Sequence, residues 1–330
     1  MNKYLIIGYG SISVRHIKNI MSIKKDCFFY ILSRKKTISI NFLNKSKFLH
    51  IDDIKKVNCD EIHSAFICTG ANEHLKHINF LAKKKVNIFI EKPISNIKTN
   101  SKSLILLSKK NKIKIFVGYN LLYDRGLIKL KLQLINKKEK IFKVSSKVGY
   151  YLPFWRKNIN YKDSVSALSK KGGGALLELS HDLHYLLWLL GRPVSIRALV
   201  EKASNLKIDV DDNAVLILIY KGFNCLLELD FLTKKYSRNT TIVTDKNTYI
   251  WDYSKKYLET YNTKKINKIF YKKQIDSNET YLNQLKDFFK PNDYKKTNDM
   301  INLSVDTLSV VHSAKMSSHK KGKQVKINYA

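Results

Sequence analysis

Four ionisable side chains fall within seven residues of an otherwise apolar stretch: Glu178, His181, Asp182 and His184 in GGGALLELSHDLHYLLWLLG, residues 172–191. Burying such groups among leucines is costly unless they are paired or used, so the cluster marks a place for chemistry. A carboxylate or imidazole there can take a proton from a hydroxyl and return it. Metal binding is the competing use. The His181–His184 spacing lacks the i, i+4 geometry by which two histidines on a helix share zinc. The four cysteines (Cys27, Cys59, Cys68 and Cys225) show no C-x-x-C spacing. No metal is expected, and the cysteines should be buried free thiols.

A second candidate is Glu91-Lys92-Pro93 in NIFIEKPIS. A lysine at the carboxyl end of a strand can donate to a substrate oxygen and relay a proton; an ordinary loop is the plain alternative. The third is YLIIGYGSISVRHIKNI, residues 4–20. Gly8 permits a tight turn, Gly10 lets backbone approach a pyrophosphate, and Ser11 and Ile12 open the helix whose N-terminus would receive it. Ser13 replaces the third glycine of G-x-G-x-x-G with one Cβ and one hydroxyl, a change the packing should tolerate. A generic α/β turn is the other reading. The next strand ends in Ser33-Arg34-Lys35-Lys36, with no acid to hold a ribose 2′-hydroxyl. Ser33 and Arg34 suit a 2′-phosphate, so the lean is to NADP over NAD.

These residues need a scaffold. KYLIIG, CFFYILSRK, HSAFICTG, NIFIEKPIS and KIKIFVGYN read as strands, with helices at SVRHIKNIMSI, NEHLKHINFLAKKK and residues 98–111. That alternation predicts a parallel, doubly wound sheet, an N-terminal Rossmann domain over residues 1–120. The rhythm then changes. KIFKVSSKVGYYL, NAVLILIYKG, NCLLELDFLT, NTTIVTD and NTYIWDY are strand-like runs joined by turn residues. One helix over 174–191, stopped at Gly191-Arg192-Pro193, interrupts them, and helices near 279–290 and 298–317 close the chain. Residues 121–330 are expected to form an α+β domain with a large, mostly antiparallel open sheet for substrate binding and oligomerisation. The fold class is therefore α/β followed by α+β.

The formal charge of +34 raises the question of a polyanionic partner. Only seven of the 61 basic residues are arginine, the residue of bidentate nucleic-acid contacts, and the lysines are scattered. No specific nucleic-acid partner is expected. No apolar run approaches the roughly 20 residues that span a bilayer, and no leader precedes the first strand. The expectation is a cytoplasmic protein with no membrane partner.

GYGSISVRH, CTGANEH, EKP, VGYN, YLPFWR and GGGALLELSHDLHYLLWLLG occur in the order found in the glucose–fructose oxidoreductase/inositol dehydrogenase (Gfo/Idh/MocA) family. The chain resembles that family over essentially its whole length, and most closely its sugar and nucleotide-sugar branch. The resemblance implies NAD or NADP in the first domain and a sugar or nucleotide sugar between the two, in a homodimer or homotetramer. Lys92 and His181 resemble the catalytic lysine and histidine, with Glu178 and His184 close by. Thr69, His74 and Glu91 resemble cofactor-lining positions. Tyr119, Asn120, Tyr151, Trp155 and Arg156 resemble segments that approach substrate. Besides Ser13, two positions depart from the pattern: Gly70 stands for a proline, and His184 for an aspartate that helps bind substrate or share a proton. The implied activity is hydride transfer between nicotinamide and a ring carbinol carbon. The alternative is an inactive NAD(P)-binding sensor or scaffold on the same fold.

Overall fold

The computed structural model describes residues 1–35, 38, 40–156, 160–263, 266–270 and 278–329. In chain order the first elements are β1 (Asn2–Ile7), α1 (Ser11–Ile23), β2 (Cys27–Leu32), β3 (Phe48–Ile51), β4 (Ile62–Ile67), α2 (His74–Lys83), β5 (Asn87–Glu91), α3 (Ser101–Asn111) and β6 (Ile115–Gly118). Next come α4 (Arg125–Lys137), β7 (Ile141–Gly149), α5 (Ala175–Glu178), α6 (Ser180–Leu190), β8 (Ser195–Glu201), β9 (Asn213–Ile219) and β10 (Asn224–Asp230). The rest are β11 (Ser237–Thr244), β12 (Thr248–Asp252), β13 (Tyr257–Tyr261), β14 (Ile266–Phe270), α7 (Asn278–Phe288), α8 (Tyr294–His319) and β15 (Val325–Lys326). They fall into two compact units, Met1–Tyr119 with Tyr281–Val305, and Asn120–Thr280 with Asp306–Ala330.

The first unit is built on a parallel sheet in the order β3-β2-β1-β4-β5-β6. Strands covered on both faces read as continuous apolar runs, and Leu5, Ile6, Phe66, Ile67, Phe89 and Ile90 are all fully buried. Phe66, Phe89 and Phe116 stack across β4, β5 and β6 at 5.2 and 5.4 Å between centroids. Phe288 of α7 meets all three edge-on. Lys114 anchors the turn after α7, its Nζ donating to the carbonyl oxygens of Phe288 and Lys290 at 2.9 and 2.7 Å. Because every strand runs the same way, the residues after β1, β2, β4, β5 and β6 share one edge. Those residues are Gly8, Ser33, Cys68 with Thr69 next to it, Lys92 and Tyr119.

The second unit carries a nine-stranded sheet, β14-β13-β12-β11-β7-β10-β9-β8-β15. Among the described residues of this sheet only β7 and β10 pair in parallel. Tyr185 fixes α6 on this sheet: its hydroxyl lies 2.9 Å from Ser146 Oγ on β7 and 2.7 Å from Thr240 Oγ1 on β11. Leu199, Ile217 and Leu226 stay exposed on the other face. The expected class, a parallel Rossmann-type sheet followed by a mostly antiparallel one, is the class found. Among the described residues no helix is long and apolar enough to cross a membrane. All four cysteines are free, three of them buried.

The stretch read as one helix over 174–191 is two. The backbone leaves the α region at Leu179 (φ −89°, ψ 14°), where the Asp182 N–H closes a tight bond to the Leu179 carbonyl. The start of α5 is held elsewhere: Ala175 N–H donates to the Asp211 carbonyl, and Leu176 N–H to Asp211 Oδ2. A helix held at its start by a distant aspartate need not keep phase with the next one, so three-residue spacing does not by itself set the faces of Glu178 and His181.

Candidate active site

The turn between β1 and α1 is shaped by what its glycines leave out. Gly8 has φ +96°, and a Cβ there would lie 2.9 Å from the Cys68 carbonyl oxygen, so this position excludes any side chain. A Cβ at Gly10 would meet nothing within 4 Å: the space over the second glycine is open. Ser13 is fully buried, and its hydroxyl accepts from the Gly10 N–H at 2.8 Å and contacts the Gly10 carbonyl at 2.7 Å. The serine in the third glycine's place thus ties the turn together. The N–H groups of Ser11 and Ile12 remain at the positive end of a 13-residue helix. Beside them Thr69 Oγ1 is buried with no hydrogen-bond partner among the described residues. Open space, first-turn donors and an orphaned hydroxyl are what a pyrophosphate-bearing dinucleotide would use.

At the end of β2, Ser33 Oγ accepts from the Lys35 N–H at 3.2 Å. Arg34 is exposed and ion-paired with Glu73, just before α2. Lys35 Nζ lies 5.1 Å from the ring centre of Tyr9, inside the glycine turn. Lys36 lies outside the described residues.

At the end of β5, Glu91 is buried, and its Oε1 lies 2.7 Å from His16 Nε2 on α1. Lys92 follows, half-buried, with a cis peptide to Pro93. His74 is buried as well: Nδ1 sits 2.8 Å from the Pro93 carbonyl oxygen and Nε2 3.0 Å from that of Thr69. The structure therefore gathers Thr69, His74, Glu91 and Lys92. His16 is missing from the sequence reading. Its signal was there, because Ser13, His16, Ile17 and Ile20 make the i, i+3, i+4, i+7 buried face of α1, and a histidine on that face needs a partner.

In the second unit Glu178 Oε2 accepts from Ser166 Oγ at 2.9 Å. Ser166 also lines a cavity of about 10 Å³ with Leu152, Trp155, Arg156, Tyr161 and Ser164, room for about one water. Trp155 Nε1 donates to the Tyr150 carbonyl at 2.8 Å, and Tyr151 packs edge-on against Phe154. Trp155, Arg156 and, through Ser166, Glu178 thus come together. Tyr119 of the first unit is buried; Asn120 is buried too, its amide donating to Thr280 Oγ1 at 2.7 Å. His181 is the second residue of α6 and is half-buried. Its neighbour Asp182 is fully buried and paired with Arg238 of β11 at 3.1 Å. Among the described residues no three His, Cys, Asp or Glu side chains cluster as a metal site.

His184 lies in the packing rather than on an open surface: its Nδ1 is 3.0 Å from Thr307 Oγ1 of α8. Burial holds its pKa well below the ordinary 6.5, so the ring is neutral at physiological pH. Such a group supports the fold above its unfolded pKa, and the support is lost as pH falls below about 6.5. His184 alone should contribute up to about 1.4 kcal/mol of lost stability per pH unit there. His184→Asn, which keeps a donor near Nδ1, should flatten the slope between pH 7.5 and 5.5 in urea unfolding. An unchanged slope would mean that water reaches the ring.

Residues 2–119 match the family model described as "Oxidoreductase family, NAD-binding Rossmann fold". Residues 140–250 match "GFO/IDH/MocA C-terminal domain". A myo-inositol 2-dehydrogenase of Thermotoga maritima is 24% identical over 229 residues, 66% of this chain and 64% of that protein. The chain thus spans just under two thirds of that relative's length. Levoglucosan dehydrogenase in complex with NADH superposes with a TM-score of 0.82 at 15% identity, covering 100% of both chains. The WlbA dehydrogenase from Bordetella pertussis, in complex with NADH and UDP-GlcNAcA, gives 0.76 at 14% identity, covering 100% of this chain and 98% of that one. At such identities the structural likeness speaks for the fold.

Proposed function

This chain belongs to the Gfo/Idh/MocA oxidoreductase family, and on that premise we propose that it is an NAD(P)-dependent oxidoreductase. Its substrate would be a sugar, sugar acid or nucleotide sugar, oxidised or reduced at a ring carbinol carbon. The observation that carries the reading is the shared edge of the first sheet. There the open turn at Gly10, the Thr69 hydroxyl, which has no hydrogen-bond partner among the described residues, and Lys92 follow β1, β4 and β5.

The bound nicotinamide would supply a hydride acceptor or donor at its C4. The first turn of α1 would bind the pyrophosphate. Oxidation breaks the carbinol C–H and O–H bonds together, so a side chain must take the hydroxyl proton. Lys92 and His181 are assigned that work, one as acid–base and the other holding the oxygen in place. Glu178, bonded to Ser166, would orient the substrate hydroxyls.

For the cofactor the reading keeps its lean to NADP. Arg34 is exposed, and its ion pair with Glu73 is worth under about 1 kcal/mol, so a 2′-phosphate could draw it away. Titrating the protein with NADPH and NADH, followed by nicotinamide fluorescence, tests both points. Tighter NADPH binding that Arg34→Ala abolishes supports NADP, and equal affinities remove that preference. Failure of both to bind would sink the dehydrogenase reading.

One observation favours a second reading, a nucleotide-binding sensor or scaffold. Where the family pattern has an aspartate, His184 is committed to Thr307. That reading expects NAD(P)H binding without hydride transfer to any sugar in a broad panel. Leu199, Ile217 and Leu226 on the open sheet face support a homodimer or homotetramer, and a monomer by light scattering would count against it. Four free cysteines suit a reducing cytoplasm.

A further inference from the structure

Lys92 is flanked in sequence by two residues that are each held by a buried histidine. On one side is Glu91, whose Oε1 lies 2.7 Å from His16 Nε2. On the other is Pro93, whose carbonyl oxygen lies 2.8 Å from His74 Nδ1. We propose that His16 and His74 are positioning residues for Lys92, one holding the side chain of the residue before it and the other the main-chain carbonyl of the residue after it. The proposal rests on the reading that Lys92 meets the substrate.

The two clamps reach Lys92 from different elements. His16 sits on α1, which begins at the glycine turn, and His74 opens α2, which follows the loop carrying Thr69. The His16 ring is boxed by Phe66, Phe89 and Tyr281 at 5.6, 4.9 and 6.5 Å between centroids. Its Nδ1 has no partner among the described residues. With a proton on Nε2 the ring donates to Glu91 Oε1. His74 faces a carbonyl oxygen at each nitrogen, Nε2 lying 3.0 Å from that of Thr69. A neutral ring donates to only one of them, and the shorter contact, Nδ1 to the Pro93 oxygen at 2.8 Å, is the one that holds the segment after β5. Fixing both neighbours fixes the backbone from which the Lys92 side chain leaves, and α1 begins at the turn that would hold a dinucleotide while α2 follows the Thr69 loop. Each histidine thus sets the distance from Lys92 to that turn.

The test reads the amine of Lys92 directly, with no substrate needed. The purified protein and its variants are treated with a limiting amine-acylating reagent, and the labelling rate of each lysine is read by mass spectrometry. Exposed Lys84 and Lys109 of the same unit serve as internal references. His16→Phe fills the aromatic box but cannot bond Glu91, and His74→Leu removes both carbonyl contacts. Each should raise the Lys92 rate by up to about tenfold relative to the references, because losing one buried hydrogen bond raises the population of released conformers by about that factor. His16→Gln places a donor near Nε2, and His74→Asn places one near Nδ1, so these two should stay near the wild-type rate. If His16→Phe does not fold, Glu91→Ala breaks the same contact. A Lys92 rate that stays constant, or that moves only in step with Lys84 and Lys109, overturns the proposal. NADH titration of the unaltered protein is run alongside. Its failure would strike the dehydrogenase reading, whereas the labelling result judges the clamp alone.

Discussion

Lys92→Ala should lower turnover by about 10²–10⁴-fold, the range general acid–base catalysis contributes, with NADH affinity little changed. The asymmetry follows from where the lysine stands. Glu91 and Pro93 are held by His16 and His74 whatever occupies position 92. The glycine turn is bonded through Ser13. Truncation therefore removes an amine and leaves the nucleotide scaffold in place. Lys92→Arg sharpens the test, because a guanidinium keeps the charge but does not exchange its proton near neutral pH. The arginine variant should be nearly as slow as the alanine one. The assay is steady-state turnover of whichever sugar the panel identifies, beside a nucleotide titration. Turnover within about threefold of the original protein would leave the proton to His181 and remove Lys92 from the mechanism.

Arg238→Met should destabilise the protein by about 3–5 kcal/mol, the cost of leaving one member of a buried ion pair uncompensated. Asp182 is fully buried and Arg238 nearly so, with 3.1 Å between them. Burial pushes the Asp182 carboxyl above its ordinary 3.8, and Arg238 pulls it part of the way back. Without the guanidinium the carboxyl rises further. An acid raised in the folded state favours folding while protonated and loses that advantage as pH climbs from about 3.8 through the folded value. The deficit should thus be largest at neutral pH and shrink on acidification. Asp182→Asn in the Arg238→Met background should restore most of the stability, because no buried charge is then left over. Urea unfolding at pH 7 and pH 5 reads all three. A deficit under about 1 kcal/mol at pH 7 would show the pair to be effectively solvated. His181 adjoins Asp182, so any loss of turnover must be judged on the folded fraction.

Local pattern made much of this legible. A strand of apolar residues stopping at Gly8, a tolerated Ser13, and helices between strands are short-range features, each decided within a dozen residues. They were enough to place Gly8, Thr69, Glu91 and Lys92 at strand ends on one sheet edge, because parallel order follows from βαβ connection. What escaped was either too short or periodic in the wrong way. β3 has four residues and no continuous buried run. In α4, the segment LIKLKLQLI alternates apolar and polar residues every two positions, a strand's rhythm; Asp124 Oδ1, accepting from the Leu127 N–H at 3.0 Å, caps it as a helix.

By itself the sequence determined the class of fold, the family, and the residue types at the ends of the strands, since these depend on local periodicity and on motifs whose spacing is covalent. Tertiary structure alone decided how those residues are held. The break at Leu179 depends on Asp211, 32 residues further on. His184 is neutral because Thr307 and the core around it exclude water. His16 meets Glu91 across 75 residues of chain. Tyr281–Val305 joins the first unit, where Phe288 finds its aromatic ladder. Side-chain partners far apart in the chain are chosen by packing, and packing exists only once the strands are in register.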